Sequence, residues 1–82
     1  MLIATLNARV KKRLEKLDLI NKFRKQKGLF ELNPSYPSLN TEKLEPKSIG
    51  LYSFRISKKY RAIFRIRNGM AEIIHITKHY QK

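Results

Sequence analysis

Apolar residues in the first part of the chain recur at helical spacing. Leu6, Val10, Leu14 and Leu17 are separated by four, four and three positions, which sets them on one stripe of a helix. Arg9, Lys11, Lys12, Arg13 and Lys16 fill the rest of the circumference. Thr5 or Asn7 can cap the start, while Leu2 and Ile3 can alternatively form a short edge strand. A second helix is expected from Asp18, carrying Leu19, Ile20, Phe23 and Phe30. Gly28 weakens its interior by about 1 kcal/mol relative to Ala. Asn33-Pro34 ends it, because proline disfavours helix in the residue before it. Two amphipathic helices with a tight connection make a helical hairpin.

The period then changes. Residues 33–50 hold all three prolines and show no clean repeat, so they read as a long connection of the kind that often carries function. Further on, Tyr52, Phe54 and Ile56 alternate with Ser53, Arg55 and Ser57, a strand period of two. The β-rich runs 60–67 and 70–76 flank Asn68-Gly69, a strong hairpin signal because both turn positions need positive φ. A two-residue turn sets Arg67 against Met70, Arg65 against Glu72 and Ile63 against Ile74. It sets Phe64 against Ile73 and Ala62 against His75 on the other face, where His75 is expected as an interior neutral imidazole. Arg65 and Glu72 form a sensible cross-strand ion pair. The expected fold is α+β: an N-terminal helical hairpin packed on a twisted antiparallel β-sheet of three or four strands.

With 82 residues, the chain is expected to form a single domain, 1–82, around one thin core. Charge changes the picture most. Lys and Arg number 19 against 6 Asp and Glu, a formal net charge of +13. Such an excess repels itself in the folded state, and a polyanion relieves it. Nucleic acid is the first candidate, since Lys and Arg neutralise phosphates and release counterions. There are no cysteines, which excludes disulfides and thiolate metal sites. No apolar run approaches the roughly 20 residues of a membrane span, and Met1-Leu2-Ile3-Ala4 lacks signal-peptide features. A cytoplasmic protein with no membrane partner is expected. No Gly-rich phosphate loop or zinc spacing is present, so no cofactor and no metal are expected. Any chemistry falls to Arg, Lys, His, Tyr and Glu.

Those residue types suit metal-independent RNA cleavage. That reaction needs a base for the 2′-hydroxyl, an acid for the leaving oxygen and cations for the phosphorane-like transition state. Arginine matches phosphate oxygens and stays charged, and histidine titrates near neutral pH. If the connection after Ile56 has three residues, Arg55 falls opposite Arg61, and an anion between the two guanidinium groups is welcome. His79 and Tyr80 end the last strand region, level with Arg61 by hairpin counting. Strict alternation puts Tyr80 on the Arg61 face and His79 on the other.

The segment Leu29-Phe30-Glu31-Leu32-Asn33-Pro34 and the following 37–44 resemble the stretch after the helical hairpin in RelE/ParE-type toxins. The runs Gly50-Leu51-Tyr52-Ser53-Phe54-Arg55-Ile56-Ser57 and Tyr60-Arg61-Ala62-Ile63-Phe64 resemble their central hairpin, and Lys78-His79-Tyr80 their ending. Within that superfamily the pattern is most similar to YoeB-like toxins. The resemblance implies a toxin restrained by a cognate acidic antitoxin, entering the ribosomal A site and cleaving mRNA there. By the same resemblance Glu42 is a base or orients one. Arg61 then stabilises the phosphate, and His79 and Tyr80 share acid–base and positioning work. Arg55 matches a second arginine, and Lys43 and Lys47 are implied phosphate contacts. Lys58 and Lys59, in the turn beside them, join the expected RNA-binding set. The ParE branch offers the alternative of a gyrase poison without the ribonuclease residues. A non-catalytic basic module that keeps only antitoxin binding is a third reading.

Overall fold

A computed structural model describes residues 1–78 of the chain. Helix α1 spans Ala8–Lys16, and Asn7 is its cap, its side chain accepting from the Val10 N–H at 2.8 Å. Val10 and Leu14 are buried, while Arg13 and Lys16 close the last turn, where positive charge complements the helix dipole. The second helix does not begin at Asp18 as expected. Asp18 has φ 57°, a left-handed conformation that Asp tolerates better than most residues, and it turns the chain between the helices. Buried Leu19 follows, and α2 runs Ile20–Leu32. Gly28 stays within α2 at an exposed position. The stripe Phe23, Gln26 and Phe30 is buried on the sheet, and its packing exceeds the roughly 1 kcal/mol that glycine costs.

The connection 33–50 has more structure than its sequence pattern predicts. Short 3-10 turns at Pro37–Leu39 and Lys47–Ile49 flank a two-residue strand, β1, at Glu42–Lys43. Leu39 is fully buried and anchors the segment. The sheet continues with β2 (Leu51–Arg55), β3 (Tyr60–Arg67) and β4 (Met70–Lys78), all antiparallel in the order β1-β2-β3-β4. β2 is shorter than the alternation suggests, because Ile56 and Ser57 already belong to the turn, both N–H groups bonding the Tyr60 carbonyl. Ile3 forms a single parallel bridge to Ala71 at the outer edge of β4. Its N–H also donates to Glu31 at 2.8 Å, tying the N-terminus to α2.

The helices cover one face of the sheet. Phe30 packs between Phe54 and Phe64, with ring centroids 5.1 and 5.2 Å away. Val10, Leu14, Phe23, Ala62, Ile73 and Ile76 extend the same core.

The β3–β4 hairpin has the expected register near its turn: Arg67 against Met70, Arg65 against Glu72 and Phe64 against Ile73. Asn68 and Gly69 both have positive φ, as the two-residue turn requires. A β-bulge between Ile63 and Phe64 then shifts the pairing by one residue. Ile63 meets His75 rather than Ile74, and Ala62 meets Ile76 rather than His75. The expectation of an interior His75 is therefore wrong: the extra residue inverts the alternation, His75 is exposed, and Ile76 is buried in its place.

Truncating Phe30 to Ala should cost about 3–5 kcal/mol in urea unfolding. The bulge predicts a contrast on β4. Ile76→Ala should cost about 2–5 kcal/mol, while His75→Thr should stay within about 0.5 kcal/mol. The reverse ranking would restore the uninterrupted register.

Candidate functional site on the outer sheet face

Strand pairing decides which side chains share the face opposite the helices. Glu42 pairs with Ser53, Ser53 with Ile63, and Ile63 with His75. In the adjacent row Arg55 pairs with Arg61, and Arg61 with Thr77. Cross-strand partners project to the same side, so Glu42, Ser53, Arg55, Arg61, His75 and Thr77 all lie on the outer face. The turn that joins β2 to β3 sets Arg55 opposite Arg61, as the sequence predicts.

Arg61 is the centre of this face and is only 4% exposed. Its Nε donates to the Ser53 hydroxyl at 2.9 Å. Its Nη2 donates to the Ser53 carbonyl at 3.2 Å and to the Asn40 carbonyl. Nη1 is buried and has no hydrogen-bond partner among the described residues. Burial lowers the Arg61 pKa, the nearby Glu42 carboxylate opposes that shift, and the Arg55 guanidinium adds to it. The site is thus a desolvated cation beside a second cation, with one acid at its border. An approaching anion meets charge that water does not screen.

Asn40 reaches Arg61 because the preceding 3-10 turn is held from behind. Asn40 itself has φ 43°. Gln26 of α2, buried at the helix–sheet boundary, donates to the Arg55 carbonyl at 2.8 Å and the Ser38 carbonyl at 3.3 Å. Ser53, Asn40 and Gln26 are missed by sequence reasoning. A serine at a strand position that alternation leaves polar looks like a solvated residue, and no pattern announces a backbone carbonyl as a ligand.

The other expected site residues divide. Lys43 pairs with Tyr52 on the opposite side of β1, and its ammonium lies 5.6 Å from the centre of that ring, a cation–π contact turned away from Arg61. Lys58 and Lys59 are exposed in the β2–β3 turn and, with Leu17, Asp18, Lys22 and Tyr60, border an open depression toward the helix connection. Lys47 is exposed in the second 3-10 turn. His79 and Tyr80 lie outside the described residues. Uninterrupted counting along β4 sets Arg61 against Ile76, but the bulge moves Thr77 into that place, so the alternation used to assign the two faces does not hold beyond Ile63. The expected ion pair outside the site is present, Arg65 meeting Glu72 at 2.6 Å.

A groove of about 320 Å³ lies on the helix side, floored by Ile3, Leu6, Ile20 and Phe23 and bordered by Lys11, Arg24 and Lys27. Among the described residues no cluster of His, Cys, Asp and Glu is arranged to hold a metal, and no helix is long and apolar enough to cross a membrane.

A helical hairpin on a four-stranded antiparallel sheet defines the class of fold. Solved structures of toxins share it. A YoeB/ParE toxin from Agrobacterium tumefaciens superposes with a TM-score of 0.71 at 18% identity, over 98% of this chain and 100% of that one. A YoeB–YefM complex from Staphylococcus aureus superposes equally, with a TM-score of 0.71 at 19% identity, over 98% of this chain and 99% of that one. At such identities the likeness is one of fold. No family model and no curated protein sequence matches the chain.

Replacing Arg55 with Gln removes a repulsive neighbour of Arg61. Thermal melting should show stability unchanged or raised by up to about 1 kcal/mol. A simultaneous fall in affinity for single-stranded RNA would mark Arg55 as a group kept for binding rather than for folding, and unchanged affinity would remove it from the candidate site.

Proposed function

We propose that this protein is the toxin of a type II toxin–antitoxin pair, a member of the RelE/ParE superfamily nearest to its YoeB-like branch. In this reading it cleaves mRNA in the ribosomal A site without a metal. The observation that carries the reading is the outer-face cluster: Arg61 is desolvated and opposite Arg55, with Glu42 close enough to act on its charge. Two cations on one strand pair are unfavourable alone and favourable around a phosphate. The shared fold of the YoeB/ParE toxin and the toxin of the YoeB–YefM complex agrees with it, as does the net charge of +13.

The roles follow from the chemistry. Arg61 contacts the scissile phosphate and stabilises the charge that builds on it in the transition state. Arg55 holds the neighbouring backbone. Glu42 takes the 2′-hydroxyl proton or orients the group that does. His79 and Tyr80 supply acid–base and positioning groups from the C-terminus. Lys47, Lys58 and Lys59 add electrostatic attraction for RNA at longer range, and Lys43 does so beside Tyr52. The partner is an acidic antitoxin. The groove bordered by Lys11, Arg24 and Lys27 over an apolar floor suits a segment that is both acidic and apolar and folds on binding. A toxin that acts on the ribosome works in the cytoplasm, the location this reading assigns.

A gyrase poison of the same fold is the second reading, since one structural neighbour is a YoeB/ParE toxin. Cleavage complexes formed by purified protein with gyrase and DNA would establish that alternative.

Induced expression should arrest growth, and primer extension should reveal new 5′ ends in cellular mRNA. Arg61→Lys keeps the charge but loses the planar fork. It and His79→Ala should each remove those ends while the far-UV circular dichroism stays that of the wild type. Unchanged cleavage by both variants would sink the nuclease assignment.

A further inference from the structure

An arginine guanidinium carries five N–H donors. In Arg61 three are engaged within the protein: Nε with the Ser53 hydroxyl, and Nη2 with the carbonyls of Ser53 and Asn40. Both donors left over are on Nη1, which is buried and unpaired among the described residues. A buried donor without a partner is costly, and such exceptions in native structures call for a reason. Here the arrangement is specific. One side of the planar group is tied to β2 and to the segment before β1, and the Nη1 side is left with its donors unused.

Ser53 makes two of the three ties. It is itself only 2% exposed, and it lies diagonally from Arg61, since its direct partner on β3 is Ile63. The hydroxyl reaches across one row to accept from Nε. That bond fixes rotation about the end of the side chain, which the two carbonyl bonds to Nη2 alone leave as a hinge. Without the hydroxyl, Nε–H becomes a third unpaired donor, and the guanidinium can turn to satisfy it at the expense of Nη1.

We propose that Ser53 is the positioning residue of Arg61, holding the guanidinium so that its Nη1 edge is the one offered to a phosphate oxygen. The proposal rests on the reading of Arg61 as the phosphate-contacting group. Ser53 touches no substrate; it acts through Arg61 by removing the rotational freedom that binding otherwise has to quench. An incoming phosphate displaces the atoms packed over Nη1 and gains a charge-assisted hydrogen bond from it.

A double-mutant cycle tests this. Affinity for a short single-stranded RNA is measured by fluorescence anisotropy in the wild type, Ser53→Ala, Arg61→Ala and the double variant, with melting curves confirming the fold of each. Ser53→Ala should weaken binding by about tenfold in the wild-type background. It should do so by less than about twofold once Arg61 is Ala, because Ser53 then has nothing to position. Ser53→Thr, which keeps the hydroxyl, should recover most of the affinity. If Ser53→Ala does not fold, Ser53→Cys is read in its place, as a side chain of similar size and weak accepting power. A Ser53 effect of equal size in both Arg61 backgrounds, or no effect at all, overturns the positioning role and leaves the functional reading standing. Undiminished RNA affinity in Arg61→Ala overturns the functional reading, and this inference with it.

Discussion

The wedge of Phe30 between Phe54 and Phe64 is the contact on which the rest of the molecule depends. A chain this short has one thin core, and the aromatic rings supply much of its apolar area. With α2 pressed onto the sheet by Phe30 and Phe23, the buried face of β2 and β3 is settled. The opposite face is then left for polar residues. Gln26 belongs to the same helix stripe, so the helix that closes the core also holds the carbonyls of Ser38 and Arg55. Packing and site geometry are set by one element.

The bulge between Ile63 and Phe64 divides the hairpin into two parts of opposite alternation. Up to Ile73 the strands pair as a simple two-residue turn dictates; beyond it every side chain of β4 changes face. A single extra residue therefore exchanges His75 for Ile76 in the core, and sets Thr77 rather than Ile76 beside Arg61. Bulges of this kind re-aim side chains near functional clusters. Here the hydrophobic demand for Ile76 inside is sufficient cause, because burying an imidazole without a partner is unfavourable.

The burial of Arg61 sets opposing electrostatic effects against one another. Desolvation works against its charge, and the facing Arg55 adds to the strain, while Glu42 and the two carbonyls offset part of it. The cationic face is left with a charge imbalance that an anionic ligand corrects. The same is true of the helical side, where Arg9, Lys11, Lys12 and Arg13 are exposed and a groove with an apolar floor lies beside Lys11.

The alternation of Tyr52, Phe54 and Ile56, the Asn68-Gly69 turn and the helical stripe through Val10 and Leu14 determined the α+β architecture from the sequence alone. Local conformational preference and periodicity are properties of neighbouring residues, and so is the pairing of Arg55 with Arg61 across a short turn. The two-residue strand at Glu42–Lys43, the turn at Asp18, the bulge that reverses His75, and the seating of Arg61 on Ser53 and Asn40 were decided only by the tertiary structure. Each depends on contacts between segments far apart in the chain, or on backbone carbonyls that carry no residue signature, and a pattern along one dimension does not encode which of them meet.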